Sequence, residues 1–131
     1  MKLAVVGDEI GTTLEEQIES LKIANISNIE LRKINNKYLW EFTEAELLQF
    51  KKTLDKENIQ VISLDSPCGK KPIPYQRKKE LFDIYIKISK IFQNKYIRIF
   101  SNLGEQIEKN DIIKNLHQYS EKASQNNIEL I

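Results

Sequence analysis

The sequence predicts an α/β fold of parallel βαβ units, five strands and four helices in alternation, and three observations predict it. Short β-branched segments recur along the chain: Asn28-Ile29-Glu30-Leu31-Arg32, Asn58-Ile59-Gln60-Val61-Ile62, Tyr96-Ile97-Arg98-Ile99-Phe100 and Asn127-Ile128-Glu129-Leu130-Ile131. Their leading isoleucines are 30, 38 and 31 residues apart. The stretches between them carry apolar residues at helical spacing, and two of those stretches open on a capping box.

Taken in order, Leu3-Ala4-Val5-Val6 is the first strand. Thr13-Leu14-Glu15-Glu16 then starts a helix whose Leu14, Ile18 and Leu21 share a face. The strand at Asn28–Arg32 follows. Thr43-Glu44-Ala45-Glu46 starts the second helix, with Leu47, Phe50 and Leu54 on one side. After the strand at Asn58–Ile62, a third helix follows Pro74 with Leu81, Ile84, Ile88 and Ile91 as its stripe. Beyond the strand at Tyr96–Phe100, the fourth helix starts near Asn110 or Asp111 and carries Ile112, Leu116, Tyr119 and Ala123. The strand at Asn127–Ile131 completes the series.

Composition narrows the function classes. The 131 residues suit one domain with a single core. Twenty basic and 19 acidic side chains leave a net charge of +1, which argues against a field that gathers nucleic acid or anionic membrane. One cysteine makes no internal disulfide. Only four apolar residues follow Lys2 before Asp8 and Glu9, too few for a signal core or a membrane span, so a cytoplasmic protein is expected. Lysines number 17 and arginines three, so Arg32, Arg77 and Arg98 each stand out.

Two architectures compete for this order of elements. A five-stranded doubly wound sheet of flavodoxin type fits the length. A (β/α)₈ barrel fits the repeat but requires about 250 residues, so 131 residues would supply half, a single partial barrel domain over 1–131 cut at the fifth strand. Central strands of an open sheet are covered on both faces and read as continuous apolar runs. Here Glu30 and Arg32 alternate with Ile29 and Leu31, and Arg98 stands between Ile97 and Ile99. One aliphatic face and one charged face suit a barrel wall around a polar lumen, so half a TIM barrel is the favoured reading.

In parallel α/β folds the chemistry gathers at the carboxyl ends of the strands. Those ends read Gly7-Asp8-Glu9-Ile10, Glu30-Leu31-Arg32, Ser63-Leu64-Asp65-Ser66-Pro67-Cys68-Gly69-Lys70 and Arg98-Ile99-Phe100-Ser101. The series resembles the sugar phosphate isomerase/epimerase family, the xylose isomerase-like TIM barrels that also include endonuclease IV-type enzymes. The matching motifs are Asp-Glu-Ile, Glu-Leu-Arg, Ser-Pro-x-Gly-Lys and Ile-Arg-Ile-Phe-Ser, in order over nearly the whole chain. The resemblance implies an isomerase or epimerase of carbohydrate metabolism that moves a proton beside the carbonyl of a small sugar or sugar phosphate. It implies a divalent metal (Mn, Mg or Zn) in intact relatives, held by carboxylates and a His from the fifth strand onward. Glu129 does not match the position of the family's first ligand. No metal ligand is therefore assigned within these residues, no tight metal binding is expected of them, and the chain alone is expected to be inactive.

The substrate-facing candidates are Asp8, Glu30, Arg32, Ser66, Lys70 and Arg98. Arg32 and Arg98 offer planar forks suited to a phosphate, a carboxylate or sugar oxygens, and Glu30 would orient the substrate or Arg32. The bland alternative is an ion-pair network inside the lumen. Amides of the turn at Ser66–Lys70 could receive an anion together with Lys70, or the turn is an ordinary loop. Lys70, Lys71, Arg77, Lys78 and Lys79 read as a solvated start to the third helix. Cys68 reads as an inert thiol, His117 as a surface helical residue, and Trp40 and Phe42 as packing against the second helix or as a sugar-binding rim. Three alternatives stand beside the enzyme: a non-catalytic half-barrel module pairing into a homodimer through open strand edges, an endonuclease-type relative, which would need a basic face and more histidines, and an independent flavodoxin-like ligand-binding domain.

Overall fold

The structure is a computed structural model that describes residues 3–70, 75–101 and 108–131, with side chains described from residue 80 onward in the third helix. Its strands are β1 (Val5–Val6), β2 (Asn28–Leu31), β3 (Lys33–Ile34), β4 (Lys37–Tyr38), β5 (Gln60–Asp65), β6 (Tyr96–Arg98) and β7 (Glu129–Leu130). Its helices are α1 (Leu14–Ile23), α2 (Glu44–Lys56), α3 (Tyr75–Phe92) and α4 (Lys109–Gln125). Lys71 lies outside the described residues, as do the side chains of Arg77, Lys78 and Lys79, so the basic cluster expected there is described only at Lys70.

Strand order decides between the two architectures. The main sheet runs β1-β2-β5-β6-β7 and every pair is parallel, so each strand neighbours the next one in the sheet's chain order. A doubly wound sheet reverses direction at a switch point, and this one never does. Right-handed crossovers in such an order place all the helices on one face, as in a barrel wall. The flavodoxin-like alternative is thereby excluded.

The helix-facing side is aliphatic: Ile29, Leu31, Val61, Leu64 and Ile97 are buried there against Leu14, Ile18, Leu21, Leu47 and Leu54. Both capping boxes form, with the Thr13 and Thr43 hydroxyls accepting from Glu16 N and Glu46 N while each glutamate accepts from the cap amide. Phe50 is only partly buried, and its ring meets Phe42 edge-on at 5.1 Å. In α3 the expected stripe is rotated. Leu81, Phe82, Tyr85, Ile88 and Phe92 are buried, whereas Ile84 and Ile91 are only partly so. The aromatic residues fill more volume against the sheet than the isoleucines would. In α4, Tyr119 and Ala123 are buried with Asn115, and Phe82 meets Tyr119 at 4.8 Å between ring centres.

Two features depart from the sequence reading. The second strand ends at Leu31, and a small antiparallel hairpin, β3–β4, comes after it. Its turn residues Asn35 and Asn36 both have positive φ, 53° and 61°, as a two-residue hairpin turn requires. The third strand of the main sheet runs Gln60–Asp65 rather than Asn58–Ile62, because Asn58 takes φ 56° in the turn that leaves α2. Pairing of β2 with β5 also skips a residue: Ile29 is level with Val61, but Glu30 is level with Ser63. Ile62 is thus an extra residue, a bulge that re-aims Ser63 and the rest of β5.

Among the described residues no helix is long and apolar enough to cross a membrane. Replacing a cap hydroxyl typically costs about 1 kcal/mol. Thr43→Ala is therefore expected to lower unfolding free energy by about that amount in urea denaturation, with the far-ultraviolet circular dichroism of the native state unchanged.

Candidate functional site

The bulge sets up the polar end of the sheet. It brings Ser63 of β5 beside Glu30 of β2, and the Ser63 hydroxyl donates to Glu30 Oε2 at 2.6 Å. Arg98 on β6 closes on the same carboxylate with two hydrogen bonds, Nε to Oε1 at 2.8 Å and a terminal nitrogen to Oε2 at 2.9 Å. Glu30 is only 6% exposed. Burial alone would raise its pKa, but the hydrogen bonds from Arg98 and Ser63, with the charges of Arg98 and Arg32, hold it below the ordinary carboxylate value.

Arg32 leaves the end of β2 and is held by a different set of carboxylates. Its Nε donates to both oxygens of Asp8, at 2.9 and 3.0 Å, and one terminal nitrogen donates to Glu9 at 3.3 Å. The other terminal nitrogen stands 3.8 Å from Asp65 Oδ2. Glu30 therefore pairs with Arg98 rather than with its near neighbour in sequence, Arg32. Helix α1 fixes the loop that bears Asp8 and Glu9: Ser20 Oγ donates to Ile10 O, and the buried Gln17 amide donates to Gly11 O and Lys33 O. Gln17 thereby ties the β1 loop to the residue next to Arg32.

The turn after β5 is held by its own backbone. Ser66 N and Oγ both donate to Arg98 O, Cys68 N donates to Ser66 Oγ, Lys70 N to Pro67 O and Phe100 N to Cys68 O. Gly69 has φ 81°, and a Cβ there would lie 1.6 Å from Phe100 O. Hydrogen bonds within the fold already use the amides of Ser66, Cys68 and Lys70, so the turn is not an open cradle for an anion. The fully buried Ser66 hydroxyl likewise serves the turn. What the turn delivers is Lys70, whose ammonium stands 4.2 Å from the centre of the Phe100 ring and 3.4 Å from Asp65 Oδ1.

Asp65 is the site residue that sequence reasoning missed. It closes β5, is 4% exposed, and makes long contacts to Lys70 and Arg32. Its pKa is raised, chiefly by burial, with Glu30 adding to the rise while Lys70 and Arg32 oppose it. It lies within the strand-end segment Ser63–Lys70, where Ser66 and Lys70 of the turn drew the reading instead. The structure thus brings Asp8, Glu30, Arg32, Lys70 and Arg98 to one end of the sheet, adds Asp65 between them, and commits Ser66 to the loop. His117 stays on the exposed face of α4 near Glu121, and Glu129 pairs with Lys95. Trp40 and Phe42 pack on the helix layer, lining a groove with Leu47, Ile84 and Ile88 rather than the strand ends.

Among the described residues no group of three His, Cys, Asp or Glu side chains is arranged to hold a metal. Asp8, Glu30 and Asp65 each face a guanidinium, ammonium or hydroxyl, so this donor set does not fit a divalent cation.

No protein-family model matches the sequence, and no curated protein does. Solved structures match the fold throughout. A probable 3-DHS dehydratase of petrobactin synthesis from Bacillus anthracis superposes with a TM-score of 0.75 at 13% identity, covering 100% of this chain and 51% of that one. A xylose isomerase-like TIM barrel protein from Mycobacterium smegmatis, solved in complex with magnesium, gives 0.69 at 11% identity over 98% of this chain and 53% of that one. A D-psicose 3-epimerase solved in the presence of D-fructose gives 0.69 at 13% identity, covering 99% and 51%. The chain has the fold of half a TIM barrel. It spans about half the length of the structures it matches.

The site can be probed through its stability. Glu30→Ala leaves the buried Ser63 hydroxyl and the Arg98 fork without their acceptor, a loss of about 1–3 kcal/mol near neutral pH. Because the folded-state pKa of Glu30 is depressed, its contribution is present above the unfolded value and lost as pH falls through the folded one. The gap between wild type and variant in urea denaturation should therefore close on acidification. Gly69→Ala forces a side chain into Phe100 O at a strained φ and is expected to destabilise by on the order of 2 kcal/mol or more, measured as a drop in Tm.

Proposed function

We propose that these residues form the substrate-binding wall of a sugar isomerase/epimerase-like barrel and receive a small, uncharged sugar at the carboxyl ends of the strands. The observation that carries this reading is the charge-balanced cluster of Asp8, Glu30, Arg32, Asp65, Lys70 and Arg98. Guanidinium, ammonium and carboxylate groups side by side offer donors and acceptors together, the mixture that vicinal hydroxyls of a sugar exchange with. Likeness of fold to a D-psicose 3-epimerase supports a sugar as the substrate class. A bound phosphate is less favoured, because both arginines are already occupied by carboxylates.

In this reading the fixed guanidiniums of Arg32 and Arg98 orient sugar oxygens, Lys70 donates to a carbonyl or hydroxyl, and Glu30 and Asp8 keep the two forks in position. The reaction of the whole barrel would be isomerisation or epimerisation by proton transfer beside the carbonyl. A divalent cation, which the Mycobacterium smegmatis protein holds as magnesium, would take its ligands from outside this cluster. The 131 residues alone are accordingly expected not to interconvert ketoses.

Calorimetric titration with D-fructose tests the reading. Saturable binding that weakens about tenfold in Arg98→Ala is expected, the size of one lost hydrogen bond to a charged group. Absence of saturable binding, or binding indifferent to Arg98, would overturn the proposal. Turnover of D-fructose by the chain alone would overturn the expectation that it is inactive.

A further inference from the structure

The cations at the strand ends are not equally available. Arg98 is gripped by Glu30 through two short hydrogen bonds, and Arg32 by Asp8 through two more, with Glu9 at the rim. Among the described residues Lys70 has no such partner. Its nearest acidic oxygen is Asp65 Oδ1 at 3.4 Å, and its ammonium also lies over the face of Phe100. The second oxygen of Asp65 lies 3.8 Å from Arg32. Distances of that length are weak as hydrogen bonds but still strong as charge interactions where the groups are largely withdrawn from water. Asp65 therefore neutralises the cation that, among the described site residues, is held least tightly by carboxylates.

We propose that Asp65 sets the charge selectivity of the cleft. As a carboxylate it holds the Lys70 ammonium and the free side of Arg32, and it repels phosphate-bearing ligands in favour of uncharged polyols. With its charge removed, Lys70 and Arg32 face the cleft with one uncompensated positive charge, which is what a phosphate or sulfate group requires. The proposal deepens the sugar-binding reading and rests on it for the choice of natural ligand.

The groups facing Asp65 support a change of charge at this position. Burial opposes the ion most. Lys70 from the turn and Arg32 from the end of β2 favour it, and Glu30 from β2 opposes it. Arg98 of β6 is level with Asp65 in the sheet, and its charge and the Tyr85 hydroxyl of α3 both interact with the Asp65 carboxylate. The balance lifts the carboxyl above its usual range, so acidification neutralises Asp65 while Glu30, held low, is still ionised. Anion binding by the wild-type chain should then strengthen as pH falls through that interval.

Sulfate is a suitable probe because its charge is constant across the range. Near neutral pH, Asp65→Asn is expected to bind sulfate at least about tenfold more tightly than wild type, a conservative share of one close charge interaction. Adding Lys70→Met to Asp65→Asn should abolish the gain. Equal sulfate affinity in wild type and Asp65→Asn would overturn the proposal, as would a gain that survives Lys70→Met. Should Asp65→Asn fail to fold, wild-type affinity across pH decides: a rise on acidification supports the proposal and a flat profile overturns it. The sugar reading fails separately, on D-fructose, whatever sulfate does.

Discussion

A single buried carboxylate joins the three central strands at their carboxyl ends. Glu30 belongs to β2, takes a hydrogen bond from Ser63 of β5, and accepts both bonds of the Arg98 fork from β6. An ionised group in so little water is tolerable only when every oxygen is engaged, and here both oxygens are. The arrangement fixes where Arg98 points, and Arg98 in turn supplies the carbonyl on which the Ser66–Lys70 turn hangs. Lys70, Asp65 and the ring of Phe100 take their places from that turn. The Arg98 side of the polar end is therefore one connected structure with Glu30 at its root.

The two arginines are held by separate carboxylates, and that separation gives the cleft its character. A shared network would let one substitution spread across all the charges. Instead, Arg32 depends on a loop anchored by α1, whereas Arg98 depends on the sheet interior. Asp65 bears on both sides, through Arg32 and through its position level with Arg98. Burial also opposes its ionisation and lifts its pKa above the ordinary value. Strained or costly charges of this kind tend to be found where a protein does chemistry rather than where it merely holds together.

Much of this was legible in the residues. Charges embedded in aliphatic strands, Glu30 between Ile29 and Leu31 and Arg98 between Ile97 and Ile99, announced one polar and one apolar face. Both capping boxes located helix starts to the residue. The pairing of charges was not legible, because spacing along β2 suggested Glu30 with Arg32 while register across the sheet joins Glu30 to Arg98, 68 residues away. Asp65 stood in the strand-end segment, but its burial between Lys70 and Arg32 follows from a strand that runs on past Ile62 and from register that sequence does not show. The hairpin at Asn35-Asn36 escaped because two asparagines in left-handed backbone look like any polar loop until their φ values are known. The burial of Phe82 and Tyr85 in α3 shows the same limit: several helical stripes fit one sequence, and the sheet selects among them.

The extra residue at Ile62 divides β5 into two stretches of opposite phase. Below it the odd-numbered Val61 faces the helices; above it the odd-numbered Ser63 and Asp65 belong to the polar end. For recombination this position is a reading-frame boundary in three dimensions. A segment exchanged with another barrel across it must carry the additional residue along. Otherwise Ser63 and Asp65 would turn into the helix layer, and Leu64 would take their place among the charges.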